Sequence, residues 1–100
     1  MTCEVSYENR QIAGKIIDAS LGGLGILIPQ GAEFIKGEAR IHISPLRESP
    51  VESPEEILLQ ALPVYLRQKS KGHHVGFRIV QIESGGPEWM RLCDSLTRSA

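Results

Sequence analysis

Asp18, Ser20 and Gly23 stand in the run Asp18-Ala19-Ser20-Leu21-Gly22-Gly23-Leu24, which sets a carboxylate, a hydroxyl and two adjacent glycines between two apolar stretches. Adjacent glycines admit positive φ angles and close backbone approach, and Asp and Ser side chains form hydrogen bonds within the same sharp connection. A carboxylate so placed can accept two parallel donors, as the N1–H and N2–H edge of a guanine presents them. It can equally close an Asx-type turn with no ligand, and a motif this short does not separate the two.

The remaining polar side chains offer little chemistry of another kind. His42, His73 and His74 could supply a base, yet no Ser or Cys stands in a nucleophile elbow and no carboxylate pair has a diagnostic spacing. No catalytic residue is therefore assigned. His42 is expected on the wet face of its strand and the His73-His74 pair in a turn. Adjacent histidines on a strand point to opposite faces, so His73, His74 and Cys93 make a poor metal set and no metal site or cofactor is expected. Cys3 and Cys93 lie outside any Cys-x-x-Cys pair and read as buried thiols in a reducing compartment. Arg10 is isolated in a polar break and reads as a solvated turn residue.

A chain of 100 residues has the size of one domain, residues 1–100, and 41% hydrophobic with 23% charged residues is the balance of an ordinary globular protein. The formal net charge of -1 lacks the broad cationic surface that DNA or RNA polymers require. One small anionic ligand remains compatible, because a local cluster of arginines or amides suffices for it. With no secretory leader pattern and no apolar run of bilayer length, a cytoplasmic protein without membrane insertion is expected.

The elements that must position these residues are mostly strands. Cys3, Val5 and Tyr7 alternate with polar residues, Glu8-Asn9-Arg10 breaks the run, and Ile12 to Ile17 follows, which reads as a hairpin. Leu24 to Ile28 is apolar on both sides around Gly25, as in a buried or curving strand, and ends at Pro29-Gln30-Gly31. Ala39, Ile41 and Ile43 alternate with Arg40, His42 and Ser44. The stretch of about 44–56, with three prolines, reads as a mobile loop and a plausible partner surface. Ile57 to Arg67 is a further strand in which Pro63 implies a bulge or a sheet edge, and Val75, Phe77 and Ile79 open a last strand that runs to about Ile82. Pro87 and Glu88 suit a helix start, and Trp89, Leu92, Cys93 and Leu96 form one apolar stripe, so a helix over about 87–98 closes the chain. Six strands over about 2–82 followed by one helix predict a mainly β fold, a six-stranded antiparallel barrel that leaves few exposed edges.

Two segments resemble the PilZ domain family. Asp18, Ser20 and Gly23 match its Asp-x-Ser-x-x-Gly motif, and the similarity continues through Leu24-Gly25-Ile26; Gly72-His73-His74-Val75-Gly76-Phe77-Arg78-Ile79 is similar to its late Val-Gly-aromatic strand. The resemblance implies a PilZ-like split barrel and a non-catalytic regulatory module that binds the bacterial second messenger cyclic di-GMP through Asp18, Ser20 and Gly23, then acts on a downstream effector protein or domain. Binding members also carry an Arg-x-x-x-Arg element ahead of the first barrel strand, and no such pair occurs in this sequence. Two expectations follow from that departure. Either an arginine segment upstream of Met1 completes the site, or the domain is a divergent protein-interaction module that does not bind the nucleotide.

Overall fold

The computed structural model describes residues 2–43 and 56–98, with side chains through Asp94. The chain runs through β1 (Thr2–Tyr7), β2 (Arg10–Ser20), β3 (Gly23–Ile28), a single 3-10 turn (Ala32–Phe34), β4 (Ala39–Ile43), β5 (Ile57–Lys69), β6 (Gly72–Ser84) and α1 (Gly86–Arg98). The six strands close into a barrel in the order β1-β2-β3-β6-β5-β4, every pairing antiparallel. The expected six-stranded barrel with a C-terminal helix is the observed architecture. The expected mobile loop falls on residues that, apart from Glu56, lie outside those described.

Strand alternation puts the apolar set inside. Val5, Ile12, Ile16, Leu24, Ile26, Ile28, Ile41, Ile43, Ile57, Leu59, Ala61, Val75 and Phe77 form one buried cluster, and no polar or charged residue is buried with them among the described residues. β-Branched and aromatic side chains at every second position fit a pleated wall whose inner face is dry. Helix α1 starts at Gly86, one residue before the expected Pro87, and its Trp89 amide donates to the Gly85 carbonyl at 2.8 Å. It packs on β2 and β5, with Trp89 fully buried, Cys93 buried and Leu92 partly so against the core. The expected inward position of Leu96 lies outside the described side chains.

Of the four register shifts in the described ladders, two bear on the outer wall beside Asp18, the others falling at Leu58/Leu59 and Gln60/Ala61 of the β5–β6 pair. Between Ile16 and Asp18 the β2–β3 register shifts by one residue, and between Pro63 and Tyr65 the β5–β6 register does the same. In each place one strand carries a residue without a partner, Ile17 and Val64, both exposed. The Pro63 break is thus a bulge, one of the two outcomes its missing amide proton allowed. The 3-10 turn over Ala32–Phe34 had no counterpart in the periodicity.

A candidate site on the outer barrel wall

Asp18 owes its position to the first bulge. Ile12 and Ile16 face the core, so strict alternation would send Asp18 inward as well; the extra residue Ile17 resets the phase, leaving Asp18 exposed and Ala19 against the core. An unpaired carboxylate in an apolar interior carries a large desolvation cost, which explains why the strand bulges here. The second bulge does the same for Tyr65, because Ile57, Leu59 and Ala61 face inward whereas Tyr65 lies outside, 40% exposed.

The pairings then align one row across four strands: Asp18 on β2 is opposite Gly25 on β3, Gly25 opposite Gly76 on β6, and Gly76 opposite Tyr65 on β5. The middle of the row has no side chains, so its two ends can lean over it. A Cβ on Gly25 would stand 2.6 Å from His74 Nε2 and 2.8 Å from both Asp18 carboxylate oxygens, and one on Gly76 would enter the Tyr65 ring. The two glycines therefore hold the space that these three side chains fill, the close approach that a strand glycine often marks.

His74 links the ends. Its Nε2 is 3.8 Å from Asp18 Oδ2 and 3.2 Å from Tyr65 Oη, the hydrogen-bond direction depending on the imidazole tautomer. The Tyr65 and His74 rings meet edge to face with centroids 5.4 Å apart, and the Arg67 guanidinium carbon lies 4.9 Å from the Tyr65 ring centroid. Flanking rows are cationic. Lys15, Leu27, His74 and Arg67 are aligned on one side, and Ser20, Gly23, Arg78 and Leu62 on the other. Lys15, Arg67 and Arg78 are exposed, so a patch with one carboxylate is bordered by three cations.

The expected site residues are thus distributed as follows. Asp18 and Ser20 belong to β2 and Gly23 opens β3, with only Leu21-Gly22 between the strands. The Ser20 hydroxyl donates to the Gly23 carbonyl at 3.4 Å, inside its own hairpin, while Asp18 reaches across Gly25 to His74. Gly23 permits a tight crossing, since a Cβ there would lie 2.7 Å from the Phe77 carbonyl oxygen, and the neighbouring Gly22 carbonyl accepts from the Ile79 amide at 2.9 Å.

Several expectations need correction. His73 and His74 are in β6, not in a turn, although they do point to opposite sides: His74 lies on the outer wall and His73 lines a cavity at the end of the barrel. Arg10 is the first residue of β2, and its guanidinium carbon sits 3.9 Å from the Phe34 ring centroid rather than free in a turn. His42 is half-exposed and meets Glu56 at 2.9 Å. No group of three or more His, Cys, Asp or Glu arranged to hold a metal occurs among the described residues. Sequence reasoning did not join Tyr65, His74, Gly25 and Gly76 to Asp18; single glycines inside two strand patterns were the available signal.

The chain is thus a small closed antiparallel barrel capped by a helix, with a polar row on its outer wall at an Asp-x-Ser-x-x-Gly hairpin. The PilZ domain family model matches residues 1–91, and the chain belongs to that family, whose domains are in general non-catalytic modules of cyclic di-GMP signalling. Comparison with curated proteins and with solved structures gave no match. No described helix is long and apolar enough to cross a membrane.

Proposed function

We propose that this domain is a cyclic di-GMP-responsive regulatory module of the bacterial cytoplasm, in which Asp18 accepts the N–H edge of a guanine while Ser20 and Gly23 keep the hairpin closed beside it. The observation that carries the reading is the outward Asp18 carboxylate at the end of the Gly25–Gly76 gap, within the family's own motif. Two N–H donors to a carboxylate are charge-assisted bonds, each worth about 1.5–3 kcal/mol. The exposed Lys15, Arg67 and Arg78 supply a local field for phosphates, but they are not the paired arginines of binding members. In this reading an arginine segment preceding residue 1 in the natural protein provides most of the phosphate attraction. Docking of that segment on the barrel then changes the surface offered to a downstream effector, and differential affinity for the two arrangements makes the module a switch.

A second reading has its own support. The sequence holds no Arg-x-x-x-Arg pair, and Val64 and Leu66 on β5 are more than half exposed beside Tyr65, which suits a protein-interaction surface. Titration calorimetry decides between them. The 100-residue chain should bind cyclic di-GMP poorly and the full natural protein tightly. Absence of binding to the full protein at near-millimolar ligand rejects the nucleotide reading and leaves the interaction module.

A further inference from the structure

The opposite end of the β2–β3 hairpin carries a different feature. Asp18 and Arg10 are eight residues apart on one strand, which at about 3.3 Å per residue separates them by roughly 25 Å. Around Arg10 lies an open cavity of about 690 Å³, walled by Arg10, Ile12, Pro29, Glu33, Phe34 and His73 among others. That volume falls in the range of small-molecule pockets, about 300–1,000 Å³.

Its walls are held in place by the backbone. Gly31 has φ of 96°, a left-handed conformation that a side chain would strain, and its carbonyl accepts from the Phe34 amide at 3.1 Å, which turns Phe34 toward β2. The Arg10 guanidinium rests on that ring, 3.9 Å from its centroid. An arginine stacked on an aromatic face loses much of its freedom and keeps its N–H edge available to a planar anion. His73 forms a further wall, and its Nδ1, shielded from solvent and without a hydrogen-bond partner among the described residues, turns away from a ligand in the open space. Ile12, Pro29 and Phe34 add apolar surface. Glu33 on the rim opposes a polyanion, so one negative group is the charge that fits.

From these walls we infer that the barrel has a second binding site, remote from the Asp18 row, for a small molecule with a flat apolar body and a single carboxylate or phosphate group. The anion meets the Arg10 edge and the flat body lies along Phe34, Pro29 and Ile12. The site is independent of cyclic di-GMP, and its test leaves that reading untouched.

Amide-resolved NMR titration of the 100-residue chain with naphthoate and with naphthyl phosphate tests it, the two arms separating carboxylate from phosphate. Saturable shifts at Gly31, Phe34 and His73, with Gly25 and Gly76 unmoved, are expected for at least one probe. Arg10→Gln should weaken that binding at least tenfold. Phe34→Leu should also weaken it severalfold although every charge remains, because the ring that orients Arg10 is gone; both side chains are exposed, so both variants should keep the wild-type spectrum elsewhere. No saturable shift with either probe, unchanged affinity in Arg10→Gln, or equal affinity for inorganic phosphate would overturn the assignment.

Discussion

Gly25→Ala is the substitution that isolates the Asp18 row, because it removes no group proposed to touch the nucleotide. The new methyl would stand 2.6 Å from His74 Nε2 and 2.8 Å from the Asp18 carboxylate oxygens, too close for any of them to stay. All are far ends of flexible side chains, and the Asp18 side chain is 65% exposed, so the carboxylate has open solvent into which it can swing. What is lost is the 3.8 Å contact between Asp18 and His74 and the 3.2 Å hydrogen bond of His74 to Tyr65, together worth about 1–2 kcal/mol. Replacing a strand glycine by alanine returns about 0.5–1 kcal/mol through the unfolded chain. The two effects partly cancel. Thermal unfolding of Gly25→Ala should therefore stay within about 1 kcal/mol of wild type, a Tm change of no more than about 4–8 °C for a domain of this size. Gly23→Ala is the control, since its methyl would meet the Phe77 carbonyl oxygen at 2.7 Å and backbone does not move aside. That overpacking should cost about 1–3 kcal/mol. In the full natural protein, Gly25→Ala should weaken cyclic di-GMP binding tenfold or more by displacing the Asp18 carboxylate. A Gly25→Ala protein destabilised as much as Gly23→Ala would show that Asp18 and His74 are locked and would refute the reasoning.

Three further outcomes are expected. Asp18→Ala in the full protein should weaken cyclic di-GMP by calorimetry about tenfold to a hundredfold while leaving the denaturation midpoint nearly unchanged, the carboxylate being exposed; a large loss of stability would recast Asp18 as structural. Trp89→Ala, at a fully buried position, should cost about 3–5 kcal/mol and lower the thermal midpoint accordingly; a shift of only a few degrees would mean that α1 does not close the barrel. Burial pushes the Cys3 thiol from the ordinary 9.0 up to about 12, the N-terminal charge acting weakly the other way. Above pH 9 the unfolded chain releases a proton that the folded chain retains, so stability contributed below that pH is lost as pH rises toward 12. Urea midpoints should fall across that window less steeply in Cys3→Ala than in wild type; equal slopes would refute the assignment.

The strands were legible because burial on one face imposes a period of two that needs no partner to be read. Val5, Ile41, Ile43, Val75 and Phe77 were placed by that rule alone and all are buried. Strand ends were less legible: β2 runs on to Ser20, so Asp18 lies in a strand body and not in a connection. The 3-10 turn escaped notice because Pro29-Gln30-Gly31 reads as a stop and Ala32-Glu33-Phe34 is too short to show a period. Arg10 and Phe34 meet only because that turn folds back on β2, a long-range contact no local pattern encodes. The motif Asp18, Ser20 and Gly23 was visible as residue types. Its neighbours Tyr65 and His74 were not, because they join it through register, which is set by pairing across four strands.

The two bulges give a physical reason for that limit. A strand without a bulge has one inner and one outer set, and its sequence declares which is which. In β2 the inner set Ile12, Gly14 and Ile16 would continue to Asp18, and in β5 the set Ile57, Leu59 and Ala61 would continue past Pro63 to Tyr65. Keeping that phase would force a charge into an apolar interior on β2, so the chain gives up one ladder pairing at Ile17 instead. On β5 Pro63 has no amide proton to donate, and the ladder is interrupted next to it, at Val64. Each bulge answers a local need of its own strand. Because Gly25 and Gly76 lie between the two displaced residues, the same adjustments bring Asp18 and Tyr65 to either side of a gap that His74 fills. The row is therefore a consequence of where the barrel departs from alternation, and the outer wall gains its polar cluster without any polar residue being taken from the core.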